Sequence, residues 1–98
     1  MIKHIVMWKL KDSAEGADRQ ENANKMKEML EALTSKIEVI KALEVGINFN
    51  TSEAAYDVSL YTEFESVEDL NIYQKHPDHV LAAGFIGKIV EKRAVVDY

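Results

Sequence analysis

The first ten residues restrict the fold most. In an extended chain Ile2, His4, Val6, Trp8 and Leu10 fall on one side, and Lys3, Ile5, Met7 and Lys9 on the other. The first set is a core face. The second is apolar in its middle and charged at its ends. A strand that is apolar on both sides belongs in the interior of a sheet whose two faces are both covered. The remaining residues must therefore supply flanking strands and something to cover each face.

Asp12–Ala17 reads as a turn. Asp18, with Glu21 three residues on, has the spacing of a capping box. Ala23, Met26, Leu30, Leu33 and Ile37 then recur as one apolar stripe, which predicts a helix of about five turns. Lys25, Lys27, Glu28 and Glu31 lie off that stripe, and Met26 and Met29 read as core filler. Leu43, Val45, Ile47 and Phe49 alternate with polar residues as a half-buried strand. After a polar turn over Asn50–Ala55, Tyr56, Val58, Leu60, Thr62 and Phe64 form an antiparallel neighbour. Ser66-Val-Glu-Asp69 is a second capping sequence, opening a helix that carries Val67, Leu70 and Tyr73. Pro77 interrupts this helix and is suited to start the next helical turn. Val80, Leu81, Ala83, Phe85, Ile86 and Ile89 continue an apolar face, and Lys92–Tyr98 alternates as a last strand.

The order β-α-β-β-α-β predicts an α+β, ferredoxin-like domain over residues 1–98, a four-stranded antiparallel sheet with its helices on one face. The other face is then open. It is expected to present Ile5, Met7, Tyr61 and Val95, ringed by Lys3, Lys9, Glu44, Ser59, Glu63, Arg93 and Asp97. An apolar centre with a charged rim is the anatomy of an interface. A domain this small buries only about 60–70% of its unfolded surface. The expected closure is a homodimer packed sheet on sheet.

Several function classes are excluded. There are no cysteines, so disulfides, thiolate metal sites and cysteine nucleophiles are absent. The net charge of −5 argues against nucleic acid and anionic membranes as partners. No apolar run reaches the length of a membrane span, and the Ile5–Trp8 run is too short for an export signal, so a cytoplasmic protein is expected. Neither GxGxxG nor GxxxxGK occurs.

Several segments resemble the stress-responsive A/B barrel (Dabb) domains. They are Ile2-Lys3-His4-Ile5-Val6 with Leu10-Lys11-Asp12, Phe64-Glu65-Ser66-Val67-Glu68-Asp69-Leu70, Tyr73-Gln74-Lys75-His76-Pro77-Asp78-His79-Val80 and Val96-Asp97-Tyr98. The resemblance spans the whole chain, and the Tyr-x-x-His-Pro-x-His-Val run is its most specific part. It implies a dimeric α+β barrel and carries no reaction by itself. In plant polyketide cyclases of that family a tyrosine and a histidine close a poly-β-keto thioester without cofactor. The resemblance places that pair on Tyr73 and His79 and a strand histidine on His4. A second strand histidine has no counterpart, since Val58 stands there.

The residues themselves allow a matching chemistry. Histidine titrates near neutrality and can take a proton α to a carbonyl, while a tyrosine hydroxyl can hold the enolate oxygen. His79 is thus the candidate base and Tyr73 the candidate oxyanion donor, with His4, Trp8, Val58, Leu81 and Phe85 as candidate substrate-binding residues. Ile2, Val6, Leu60 and Ile86 would complete an apolar pocket. Equally, His76 can cap the turn at Pro77, His79 can bond a backbone carbonyl, and His4, Tyr73 and Trp8 can be core. His76, Asp78 and His79 make too sparse a set for zinc, so neither metal nor other cofactor is expected. Only isolated histidines point to a haem-degrading monooxygenase of similar barrel shape.

Two functions follow from different classes. One is a cofactorless enzyme or binder acting on a small, apolar, carbonyl-containing ligand. The other is a structural, stress-response dimer with no pocket. A void of a few hundred Å³ beside His79 would favour the first, and a filled core the second.

Overall fold

A computed structural model describes residues 1–98. In chain order its elements are β1 (Ile2–Leu10), β2 (Ser13–Ala14), β3 (Ala17–Asp18), α1 (Arg19–Glu31), β4 (Ala42–Ile47), β5 (Val58–Phe64), α2 (Val67–Lys75), α3 (Pro77–Ile89) and β6 (Val90–Asp97). The main sheet is antiparallel with order β4-β5-β1-β6, so the doubly apolar β1 is an interior strand as expected. The helices cover the face carrying His4, Val6, Trp8 and Leu10, where Met26, Phe64, Tyr73 and Ile89 have no solvent exposure. This is the ferredoxin-like α+β arrangement.

Local signals are realised closely. β2 and β3 form a two-residue ribbon whose turn puts Glu15 at φ 51° and Gly16 at φ 76°, the left-handed pair that a tight hairpin requires. The capping box is complete: the Glu21 N–H donates to Asp18 Oδ1 at 2.8 Å, and Glu21 Oε1 accepts from the Asp18 N–H at 3.5 Å. The first helix is shorter than the stripe suggests. Its α-helical part ends at Glu31 and tightens into a 3₁₀ turn over Ala32–Ser35. Leu33 and Ile37 stay buried because the tighter turn still points them at the sheet.

Two expectations fail, and both failures matter. β4 stops at Ile47, and Phe49 is 98% exposed instead of half-buried. Beyond Ile47 the asparagine side chains supply local hydrogen bonds that compete with the ladder. The Asn50 N–H donates to Asn48 Oδ1, the Ser52 N–H donates to Asn50 Oδ1, and Asn48 Nδ2 donates to the Tyr56 carbonyl.

The second failure concerns β6. Its pairing with β1 runs His4↔Asp97, Val6↔Val95 and Trp8↔Arg93, then shifts between Lys9↔Lys92 and Leu10↔Val90. The extra residue, Glu91, is a β-bulge, and one inserted residue exchanges the faces of everything beyond it. Arg93, Val95 and Asp97 therefore share the helix side with His4, and not the open face. The open face instead carries Ala94 and Val96 beside Ile5, Met7 and Tyr61, with Lys3, Lys9, Lys92, Glu44 and Glu63 around them.

Candidate functional site

Pro77 builds the site. It has no N–H to continue the helix, and His76 before it is extended at φ −60°, ψ 135°, ending α2 and starting α3. The Asp78 N–H, which in an unbroken helix would donate to the Gln74 carbonyl, donates instead to His76 Nδ1 at 3.1 Å. His76 is thus the N-cap of α3. The freed Gln74 carbonyl accepts from His79 Nδ1 at 3.0 Å. A carbonyl only accepts, so Nδ1 carries the proton and Nε2 keeps the lone pair. His76→Ala removes the cap and is expected to lower stability by about 1 kcal/mol. Urea denaturation reads that loss, and the ligand response of the cavity described next should be unchanged.

The break also folds α3 back onto the end of α2. The rings of Tyr73 and His79 lie 4.5 Å apart between centroids, with Phe64 at 5.0 Å and His4 at 6.2 Å from the Tyr73 ring. Burial lowers the pKa of His79. The Gln74 carbonyl opposes this, and the charges of His4, Arg93 and His76 add slightly to it. The imidazole is therefore neutral at neutral pH, as a proton acceptor must be. Burial pushes the Tyr73 hydroxyl up to about 12, so it stays a neutral donor. That hydroxyl is buried and has no protein hydrogen-bond partner, a state that costs about 1–3 kcal/mol. Asn22 Oδ1 is also without a partner, but its amide nitrogen anchors the β2–β3 ribbon through the Ala14 and Ala17 carbonyls.

His4 completes the group. It is 2% exposed, and its Nδ1 lies 2.5 Å from Asp97 Oδ1. An ionised carboxylate accepts only, so Nδ1 carries the proton, and Asp97 fixes the tautomer and the ring orientation. Thr62 Oγ1 donates to the His4 carbonyl at 2.9 Å and ties the strand beneath.

One cavity of about 140 Å³ lies between sheet and helices. His4, Trp8, Tyr73 and His79 are brought together in it, over a floor of Val6 and Leu60. Ala83, Ile86 and Gly87 form the α3 wall, and Arg93 lies at the strand edge. The void is smaller than the few hundred Å³ that would favour an enzyme or binder, yet the space beside His79 is not filled as a purely structural core would be. It matches a cavity of about 150 Å³ that accepts benzene. Three expected lining residues are elsewhere. Val58 is buried beneath the sheet between Trp8 and Ile47 and does not reach the cavity. Leu81 is 71% exposed. At about 100° per residue it sits roughly 140° around the helix from Ile86. Phe85 is on the flank of α3, half-buried under the Lys25 ammonium. Ile2 packs against the core outside the lining.

Asp97 and Arg93 were missed because the bulge reverses the strand. The only signal for it is the one-residue insertion just after Ile89, and that insertion becomes visible only through the pairing with β1. A larger open hollow of about 540 Å³ lies on the other side, between Met7, Gly46 and Ser59 and the loop carrying Phe49 and Tyr56. No histidine, carboxylate or lysine lines it, so it offers no general base. No three His, Cys, Asp or Glu side chains are grouped to hold a metal ion, and no helix is long and apolar enough to cross a membrane.

The model of the stress responsive A/B barrel domain matches residues 2–98. A stress-response A/B barrel domain-containing protein of Arabidopsis thaliana is 34% identical over 80 residues, which is 82% of this chain and 29% of that protein. The chain thus spans under a third of that relative. Among solved structures, a dimeric protein of unknown function with a ferredoxin-like fold from Bacteroides fragilis is 41% identical. It superposes with a TM-score of 0.85 over 99% of this chain and 93% of its own. The hydroxynitrile lyase of Passiflora edulis shares the fold at 19% identity, with a TM-score of 0.83 over 99% of this chain and 90% of its own. With a family match over nearly its full length, the chain belongs to the stress responsive A/B barrel (Dabb) family.

Proposed function

We propose that this protein is a homodimer, closed through its open sheet face, that binds a small carbonyl compound in the helix-side cavity and moves a proton α to the carbonyl without a cofactor. The observation that carries this reading is the buried, unpartnered Tyr73 hydroxyl beside a neutral His79 whose tautomer is fixed by Gln74. Folding tolerates such a hydroxyl at a cost, and a ligand oxygen would relieve it.

In the proposed step His79 Nε2 takes the α-proton. The C–H electron pair forms the enolate C=C bond, the carbonyl π pair moves onto oxygen, and the Tyr73 O–H hydrogen-bonds the charge that forms there. The imidazolium then returns a proton to carbon or oxygen. His4, held by Asp97, lines the same space and positions the oxygen end. Dimerisation is supported by the dimeric Bacteroides fragilis relative and by the apolar centre of Ile5, Met7, Ala94 and Val96 on the open face. One relative on this fold is a hydroxynitrile lyase, so the scaffold accommodates an active site.

The test is 4-methyl-2-pentanone, a neutral ketone of seven non-hydrogen atoms, suited to a benzene-sized void of about 150 Å³. Histidine NMR resonances should shift for His4 and His79 on titration, and deuterium from D₂O should enter the α-carbons faster than in buffer. Binding without exchange reduces the protein to a binder. Absence of both returns His4, Tyr73 and His79 to packing.

A further inference from the structure

Among the side chains lining the cavity, one carries a permanent charge. Arg93 stands on β6 opposite Trp8, on the helix side of the sheet because of the bulge at Glu91. It is solvent-exposed, so it sits where the cavity meets water. None of the protein's ion pairs or side-chain hydrogen bonds involves it. The ion pairs join His4, Arg19, Lys27, Lys41, His76 and Lys88 to carboxylates elsewhere. The nearest acids along its strand are Glu91, two residues back in the bulge, and Asp97, four residues on; neither lies within ion-pair distance of Arg93, and Asp97 is engaged by His4. The guanidinium acts on the site, since its charge is among the causes that lower the His79 pKa.

An unpaired arginine at the mouth of an otherwise uncharged, mostly apolar cavity is a receptor for an anion. A single cation in the lining suits a monoanion better than a phosphate dianion. We infer that the ligand is a small carbonyl compound bearing a carboxylate, with Arg93 pairing the carboxylate at the mouth while the carbonyl lies between Tyr73 and His79. This rests on the carbonyl-binding reading above and adds the charge and polarity of the substrate. The volume sets the size: about six non-hydrogen atoms besides the carboxylate, by comparison with benzene in a void of about 150 Å³. Arg93 faces the helix side, so closure of the opposite sheet face would leave it free for this role.

The probes are 4-methyl-2-oxopentanoate and its neutral amide, titrated into the full chain at low ionic strength and followed through the His79 ring resonances. Wild type should bind the acid about tenfold more tightly than the amide, the gain of one charge-assisted pair. Arg93→Gln should bring the two affinities within a factor of about two by removing that pair. Arg93→Lys should restore part of the preference. Equal binding of acid and amide by wild type, or an undiminished preference in Arg93→Gln, overturns the assignment. If 4-methyl-2-pentanone binds and neither of these probes does at tens of millimolar, the carboxylate inference falls and the cavity reading stands. If the ketone fails as well, both fall.

Discussion

His79→Ala is expected to slow deuterium exchange into 4-methyl-2-pentanone by about 10²–10⁴-fold, the usual loss on removing a general base. The variant should still fold. His79 is only half-buried, and the bond it forfeits, to the Gln74 carbonyl, is worth about 1 kcal/mol. Tyr73→Phe makes the sharper comparison. Loss of an oxyanion donor costs about 10²–10³-fold in rate. Yet the deleted hydroxyl is a buried group without a partner, so the variant should gain about 1 kcal/mol in stability while losing activity. The stability gain follows from the unpartnered hydroxyl in either case, and a purely structural tyrosine predicts no loss of activity. The pH profile follows from the direction of the His79 shift. The neutral ring is the active form, and burial holds its pKa below the usual 6.5. Exchange should therefore persist as pH falls through 6.5 and fade only below the lowered value. A Tyr73→Phe protein that is less stable and fully active would remove the site from this cavity.

Met7→Asp is expected to split the dimer. In one protomer Met7 is 38% exposed at the centre of the open face, flanked by Ala94 on β6 and Ser59 on β5. Covering the part still exposed is worth about 1 kcal/mol per protomer. Burying an unpaired carboxylate there costs several kcal/mol more before it relaxes or protonates. A loss of about 4 kcal/mol raises the dissociation constant roughly a thousandfold. Light scattering should read a dimeric mass for wild type and a monomeric mass for Met7→Asp, and Met7→Ala should weaken the dimer without abolishing it. The rim is complementary as well. Glu44 and Glu63 lie on the β4–β5 half, and Lys3, Lys9 and Lys92 on the β1–β6 half. Pairing unlike halves across a two-fold axis would make the dimer weaken with salt. A wild-type monomer at working concentrations, or a Met7→Asp dimer of unchanged mass, would sink the sheet-face closure.

Much of this protein is legible one segment at a time. The double apolar alternation of Ile2–Leu10 places that strand inside a sheet, the Asp18–Glu21 spacing starts the first helix, and Pro77 breaks the second half into two helices with His76 at the joint. Each rests on geometry within a few residues: the period of two in a strand, the reach of a cap, the missing N–H of proline. The conjunction of Tyr73 and His79 belongs to this class too, since the proline itself frees the carbonyl that orients the imidazole.

The remainder required the folded chain. Leu81 fits an apolar run as well as Ile86 does, and only docking of α3 shows which side is covered. Phe49 extends the alternation of its strand, yet asparagine side chains capture the backbone first. Asp97 and Arg93 join the site because Glu91 bulges against β1, at the far end of the chain. A pattern of period two is silent about which face it presents until its register is fixed by a partner. Sequence alone thus determined the elements, their order and the Tyr73–His79 pair, all of which follow from short-range backbone chemistry. Tertiary structure decided the second half of the site, the benzene-like size of the cavity and the free cation at its mouth, because register, bulge and void volume are properties of how distant segments meet.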